Sequence, residues 1–142
     1  MHFLITGHTG FKGSWLALML KIQGHKISGI SLAPEKKSIY ISSNLEDIFS
    51  NNIFLDLGEL TAHRIPNMEI DVVIHLAAQS LVKQSYKFPI ETYQTNVIGT
   101  LKILELTRVL NPTATLIITT DKVYKGNSKK YGYTEDDPLG GL

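Results

Sequence analysis

The chain has 142 residues, room for one domain with a sizeable core, and 43% of them are apolar. Fourteen basic residues against thirteen acidic ones leave a net charge of +1, with neither sign gathered into a long run, so neither nucleic acid nor a membrane surface is expected as a partner. The lack of cysteine excludes disulfides, thiolate nucleophiles and cysteine zinc sites, in keeping with a cytoplasmic chain.

The first strand is predicted over residues 2–6 (HFLIT), an apolar run that stops at Gly7 and is far too short for a signal segment. From Phe11 to Gln23 apolar residues recur at helical spacing until Gly24 supplies a stop, giving strand, glycine turn and helix. Within it, WLALML falls well below the ~18 apolar residues of a membrane span. The chain is therefore expected to be soluble and unprocessed. Further strands are predicted at 26–31 (KISGIS), 52–56 (NIFLD), 71–76 (DVVIHL) and 114–120 (ATLIITT). Residues 33–51, rich in Ser, Asn and Lys, read as loop with one short helix at most, and 58–66 as a poor helix broken by Pro66. The clearest later helix runs from about 90 to 109. It carries Tyr93, Val97, Leu101, Leu104 and Val109 on one side and is closed by Asn111-Pro112.

Strands this apolar, alternating with helical connections, indicate a parallel sheet covered on two sides with right-handed crossovers. The expected fold is a doubly wound α/β domain of the dinucleotide-binding Rossmann type. After residue 125 the sequence is polar and turn-rich, without a final helix, so the fold is expected to be incomplete at the C-terminus.

The stretch TGHTGFKG sets Gly7, Gly10 and Gly13 at GxxGxxG spacing between a strand and a helix, the context in which this motif becomes informative. Gly7 allows the turn, Gly10 lets a pyrophosphate approach the backbone and Gly13 allows close helix packing, while the helix start offers N–H groups to the anion. A tight connection alone would need one glycine. The tip of the second strand reads SLAPEKK, where Glu35 lies beyond a proline and Lys36-Lys37 follow, so NAD and NADP are both left open. Asp56, ending the third strand, is a candidate for the adenine end and equally a plain loop aspartate.

Ligands of open α/β sheets bind at the carboxyl ends of the strands, and the fifth strand ends in Thr119 to Lys122. Thr120 can hydrogen-bond a substrate hydroxyl, Asp121 can protonate a leaving oxygen, and a desolvated Lys122 can remove a carbon-bound proton. A solvated salt bridge is the competing account of the Asp-Lys pair. In HLAAQS, Ala77 and Ala78 are small enough to let a flat cofactor lie against the backbone, and His75 reads as a satisfied, half-buried histidine. Asn96, opposite the apolar stripe of the long helix, can orient a loop or a water. Trp15, Tyr124, Tyr131 and Tyr133 are assigned to packing. The five histidines lack metal-ligand spacing, so no metal is expected.

Taken together, TGHTGFKGSWL, HLAAQSLVKQSY, NVIGT, TTDKVY and DPLGG resemble, in this order, the extended short-chain dehydrogenase/reductases, and among them the CDP-glucose 4,6-dehydratases. The resemblance runs across the whole chain. It implies hydride removal from C4 of the hexose to NAD, loss of water across C5 and C6, and return of the hydride at C6. By the same resemblance Thr120 would bind the C4 hydroxyl, Asp121 would act as acid toward the C6 hydroxyl and Lys122 as base at C5. Gly7, Gly10 and Gly13 would hold the pyrophosphate, Asp56 the adenine, and Ala77 and Ala78 would line the cofactor. The substrate would be a nucleotide sugar, and the full-length family is expected to form homo-oligomers.

One feature departs from the family pattern. Such enzymes carry a YxxxK pair soon after DPLGG, whereas no tyrosine in this sequence is followed four positions later by lysine. The chain is thus expected to stop before that motif and before the substrate-binding part, and to bind cofactor better than it catalyses. The rival expectations are another sugar-nucleotide dehydratase or epimerase of the same superfamily, and a non-catalytic fragment that binds NAD(P) or pairs with another chain.

Overall fold

The computed structural model describes residues 1–120, 122–125 and 130–140. Five parallel strands form one sheet: β1 (His2–Thr6), β2 (Lys26–Ser31), β3 (Asn51–Phe54), β4 (Val72–His75) and β5 (Ala114–Ile117). Their order across the sheet is β3-β2-β1-β4-β5, the first five positions of the doubly wound dinucleotide-binding arrangement. Every strand pair is parallel, with Thr6 of β1 facing Ile30 of β2 on one side and His75 of β4 on the other. The order reverses between β1 and β4, so a crevice opens where their carboxyl ends diverge.

Alternation along β1 explains the two cores. Leu4 points into one cluster with Ile30, Val73, Ile103 and Leu106, while Phe3 and Ile5 point into the other with Ala17, Leu20, Ile27 and Ile74. The second cluster is closed by α1 (Phe11–Ile22), which stops at Gly24 in a positive-φ conformation as expected. The first is closed by α5 (Gly99–Leu110), which ends on Asn111 in the left-handed region just before Pro112.

The connections hold several departures from expectation. Residues 33–51 contain a four-residue helix, α2 (Ile39–Ser42), and a single 3-10 turn at Leu45–Ile48. The poor helix expected over 58–66 is two 3-10 turns, Leu57–Glu59 and Ala62–Arg64. This segment buries Leu57, Leu60 and Ile65 against the first cluster, and Pro66 follows directly after them. The long helix is composite: α3 (Val82–Lys87), α4 (Pro89–Tyr93), a π turn at Gln94–Ile98 and then α5.

Its expected apolar face points outward. Tyr93, Val97, Leu101, Leu104 and Val109 are all exposed, whereas the face turned to the sheet carries Gly99, Ile103 and Leu106. Gly99 lies against Leu57, where a Cβ would stand 3.0 Å from the Leu57 Cβ, so a small residue governs which face approaches. β5 is shorter than the expected 114–120 and is an edge strand whose residues are exposed or half-buried. Trp15, assigned to packing from sequence, is 47% exposed, and Tyr131 is exposed too, while Tyr124 and Tyr133 stack with ring centroids 4.8 Å apart. Beyond β5 the chain folds back, Tyr124 bridging Leu139 in antiparallel fashion.

Candidate functional site

The glycine turn stands at the carboxyl end of β1, beside the crevice. Gly7 has φ +74, and a Cβ there would lie 2.9 Å from the Ala77 nitrogen, so only glycine fits both the conformation and the approach of the β4 loop. At Gly13 a Cβ would lie 2.1 Å from the Gly7 oxygen and 2.7 Å from the His8 Cα, which seats α1 directly on the turn. Gly10 is the N-cap of α1 and no side chain caps this twelve-residue helix. Its first-turn N–H groups and positive dipole end are therefore offered to an anion, and no side chain of the three glycines stands in the way. The residues fit a dinucleotide pyrophosphate.

His8, inside this turn, points the other way and is fully buried. Its Nε2 is 2.6 Å from the Asn52 Oδ1, and the Asn52 amide in turn donates to the Tyr40 hydroxyl. Nε2 therefore carries the proton, and burial pushes the imidazole pKa below its ordinary value. Gly29 of β2 makes room for the ring, since a Cβ there would stand 2.4 Å from the His8 Cγ. The turn is thus anchored from beneath by a residue the sequence reading passed over.

A second buried relay fixes the β4 side of the crevice. The Thr100 hydroxyl donates to the Asn96 carbonyl at 2.7 Å, so it accepts from His75 Nε2–H at 2.9 Å. His75 Nδ1 then accepts from the Thr6 hydroxyl at 2.6 Å, and the Thr6 oxygen accepts from the Leu76 and Ala77 N–H groups at 3.2 Å each. His75 is satisfied, as expected, but completely buried rather than half-buried, and burial lowers its pKa. Asn96 clamps the following loop: its Oδ1 accepts from the Gln79 N–H at 2.7 Å and its Nδ2 donates to the Gln79 carbonyl at 2.9 Å. The expectation that Asn96 orients a loop holds. Ala77 is half-buried against the glycine turn, and Ala78 is exposed beside it.

The other expected residues are placed less tightly. Asp56 does not end β3 as expected but lies exposed two residues past it, where its Oδ1 accepts from the Gly58 N–H at 2.6 Å and caps the 3-10 turn. Structural capping and a ligand role are compatible, because a carboxylate keeps further acceptor positions. Thr120 lies three residues past β5, and its hydroxyl accepts from the Lys122 N–H at 3.2 Å. Lys122 is exposed, so the desolvation expected of a base is not supplied by the described residues. Asp121 lies outside the described residues. Among the described residues no group of three or more His, Asp or Glu converges as a metal site, and no helix is long and apolar enough to cross a membrane.

Comparison with known proteins places this geometry. The family model described as GDP-mannose 4,6 dehydratase matches residues 4–141. A CDP-glucose 4,6-dehydratase from Salmonella typhimurium is 43% identical over 141 residues, covering 96% of this chain and 39% of the relative. Among solved structures, MoeE5 in complex with UDP-glucuronic acid and NAD superposes with a TM-score of 0.80 at 26% identity, covering all of this chain and 44% of the other. The NAD-dependent NDP-hexosamine 5,6-dehydratase TunA gives 0.77 at 25% identity, with coverages of 99% and 43%. The chain thus spans less than half the length of these relatives.

Proposed function

The chain belongs to the GDP-mannose 4,6-dehydratase family, and we propose that residues 1–142 form the dinucleotide-binding part of an NAD-dependent nucleotide-sugar 4,6-dehydratase acting on CDP-glucose. The observation that carries this reading is the uncapped start of α1 on a turn whose glycines admit no Cβ at Gly7 or Gly13. The likeness to a CDP-glucose enzyme favours cytidine over other nucleotides. Bound NAD would accept a hydride from the sugar and later return it.

The chain's own residues take the roles around it. The Gly7, Gly10 and Gly13 backbone holds the pyrophosphate, Asp56 the adenine, and Ala77 and Ala78 line the cofactor against a loop fixed by Thr6 and Asn96. Thr120 binds the C4 hydroxyl, Asp121 protonates the departing C6 oxygen and Lys122 removes the C5 proton. We assign the tyrosine–lysine pair and the sugar-nucleotide pocket to sequence beyond residue 142, in a cytoplasmic enzyme. The exposed stripe of Tyr93, Val97, Leu101 and Leu104 supports a homo-oligomer. A second reading, a cofactor-binding module without catalysis, is favoured by the exposure of Lys122.

The test is incubation of CDP-glucose with NAD and the gene's full product. The proposal expects a product lighter by one water. CDP-glucose recovered unchanged while NAD is bound would leave the module reading.

A further inference from the structure

NAD-binding turns usually set an acid at the end of the second strand, about 20 residues beyond the glycines, to accept from the adenosine ribose 2′-OH. In this chain that place belongs to Ser31, the last residue of β2, in register with Phe54 of β3. Ser31 Oγ lies 2.6 Å from the hydroxyl oxygen of Thr9, within the glycine turn, and that hydroxyl donates to the Leu32 carbonyl at 3.0 Å. A carbonyl can only accept, so the single Thr9 hydrogen goes to Leu32 and the Ser31 hydrogen goes to Thr9. Ser31 Oγ is left with acceptor capacity and no charge. The next acid, Glu35, is exposed beyond Pro34 and is followed by exposed Lys36 and Lys37.

We propose that Ser31, oriented by Thr9, is the ribose-recognising residue of this chain, and that this neutral site admits NADP as well as NAD. The inference rests on the dinucleotide reading above. A carboxylate at this position accepts from a 2′-hydroxyl and repels a 2′-phosphate. A serine hydroxyl accepts from the first, and by turning its hydrogen away from Thr9 it donates to the second, while Thr9 keeps its bond to Leu32. Exposed Lys36 and Lys37, in the loop that follows Ser31, add positive potential to this region.

The test is titration of the 142-residue chain with NAD and with NADP at one ionic strength. The expected result is two dissociation constants within about tenfold of each other. Ser31→Asp is expected to weaken NADP at least about tenfold more than NAD, and Lys36→Glu with Lys37→Glu to shift the ratio in the same direction severalfold. NAD binding with NADP weaker by more than about tenfold in the unaltered chain overturns this proposal and leaves the cofactor reading intact. Binding of neither dinucleotide overturns both. If Ser31→Asp does not fold, the unaltered ratio and the exposed lysine variant decide.

Discussion

Gly13→Ala puts the seating of α1 under the sharpest test. The added Cβ would lie 2.1 Å from the Gly7 oxygen, 2.7 Å from the His8 Cα and 2.8 Å from the Gly7 carbonyl carbon, where ordinary contact begins at 3.4 Å. All three neighbours are backbone, so no side chain can swing aside, and α1 must retreat as a unit from the turn and from its packing on Phe3, Ile5 and Ile74. Overpacking of this kind costs about 1–3 kcal/mol and sometimes more, while alanine's better helix propensity returns about 1 kcal/mol. With no soft neighbour the upper end applies, and a net loss of about 2 kcal/mol is expected. For a urea m-value of about 2 kcal/mol/M, the midpoint should fall by about 1 M. Gly132→Ala, with nothing within 4 Å of its Cβ, should leave the midpoint unchanged. A Gly13→Ala midpoint equal to that of the parent would refute the close seating of the helix.

The outward stripe gives a paired comparison by urea melts: Leu101→Gln, at a position 52% exposed, should stay within about 0.5 kcal/mol, whereas Ile103→Ala, at 0%, should cost about 2–5 kcal/mol. Acid should destabilise the chain, because burial lowers the pKa of His2, His8 and His75 below the 6.5 of an unfolded histidine. Their contribution is complete above pH 6.5 and is lost as pH falls below it, by about 1.4 kcal/mol per pH unit for each ring still neutral in the fold, so melting midpoints should be flat above neutrality and drop below it. Asn96→Leu should leave the Gln79 N–H and carbonyl unpartnered at a cost of about 1–3 kcal/mol and speed amide exchange at Gln79, whereas unchanged exchange would remove the clamp from the account. Gly29→Ala should clash with the His8 ring and be partly rescued by His8→Ala, a coupling measurable in a double-mutant cycle.

The five strands and the glycine turn were legible because both are written in local pattern: an apolar run, a glycine at a forced conformation, and a helical repeat. The same logic misassigned the face of α5. A stripe of Tyr93, Val97, Leu101 and Leu104 reads as core, yet the inward face is set by Gly99, Thr100 and Asn96, whose small size and hydrogen bonds bring the helix to Leu57, His75 and Gln79. Periodicity weighs apolarity and is blind to such contacts. His8 was missed because it lies among glycines whose own signal dominates, and its partner Asn52 is 44 positions away. Ser31 carried a faint signal, being the residue that ends β2 where an acid was sought and not found. Past the end of β5 the sequence singled out Thr120 and Lys122, and the structure joins them through a hydrogen bond from the Lys122 N–H to the Thr120 hydroxyl without burying the lysine.

The most direct test of the account is calorimetric titration of the 142-residue chain with NAD. Saturable one-to-one binding that disappears in high salt more slowly than it does on Gly10→Asp substitution is the predicted result, since the Gly10 turn and the α1 start are the proposed pyrophosphate site. A folded chain that gives no saturable heat with NAD would contradict the account.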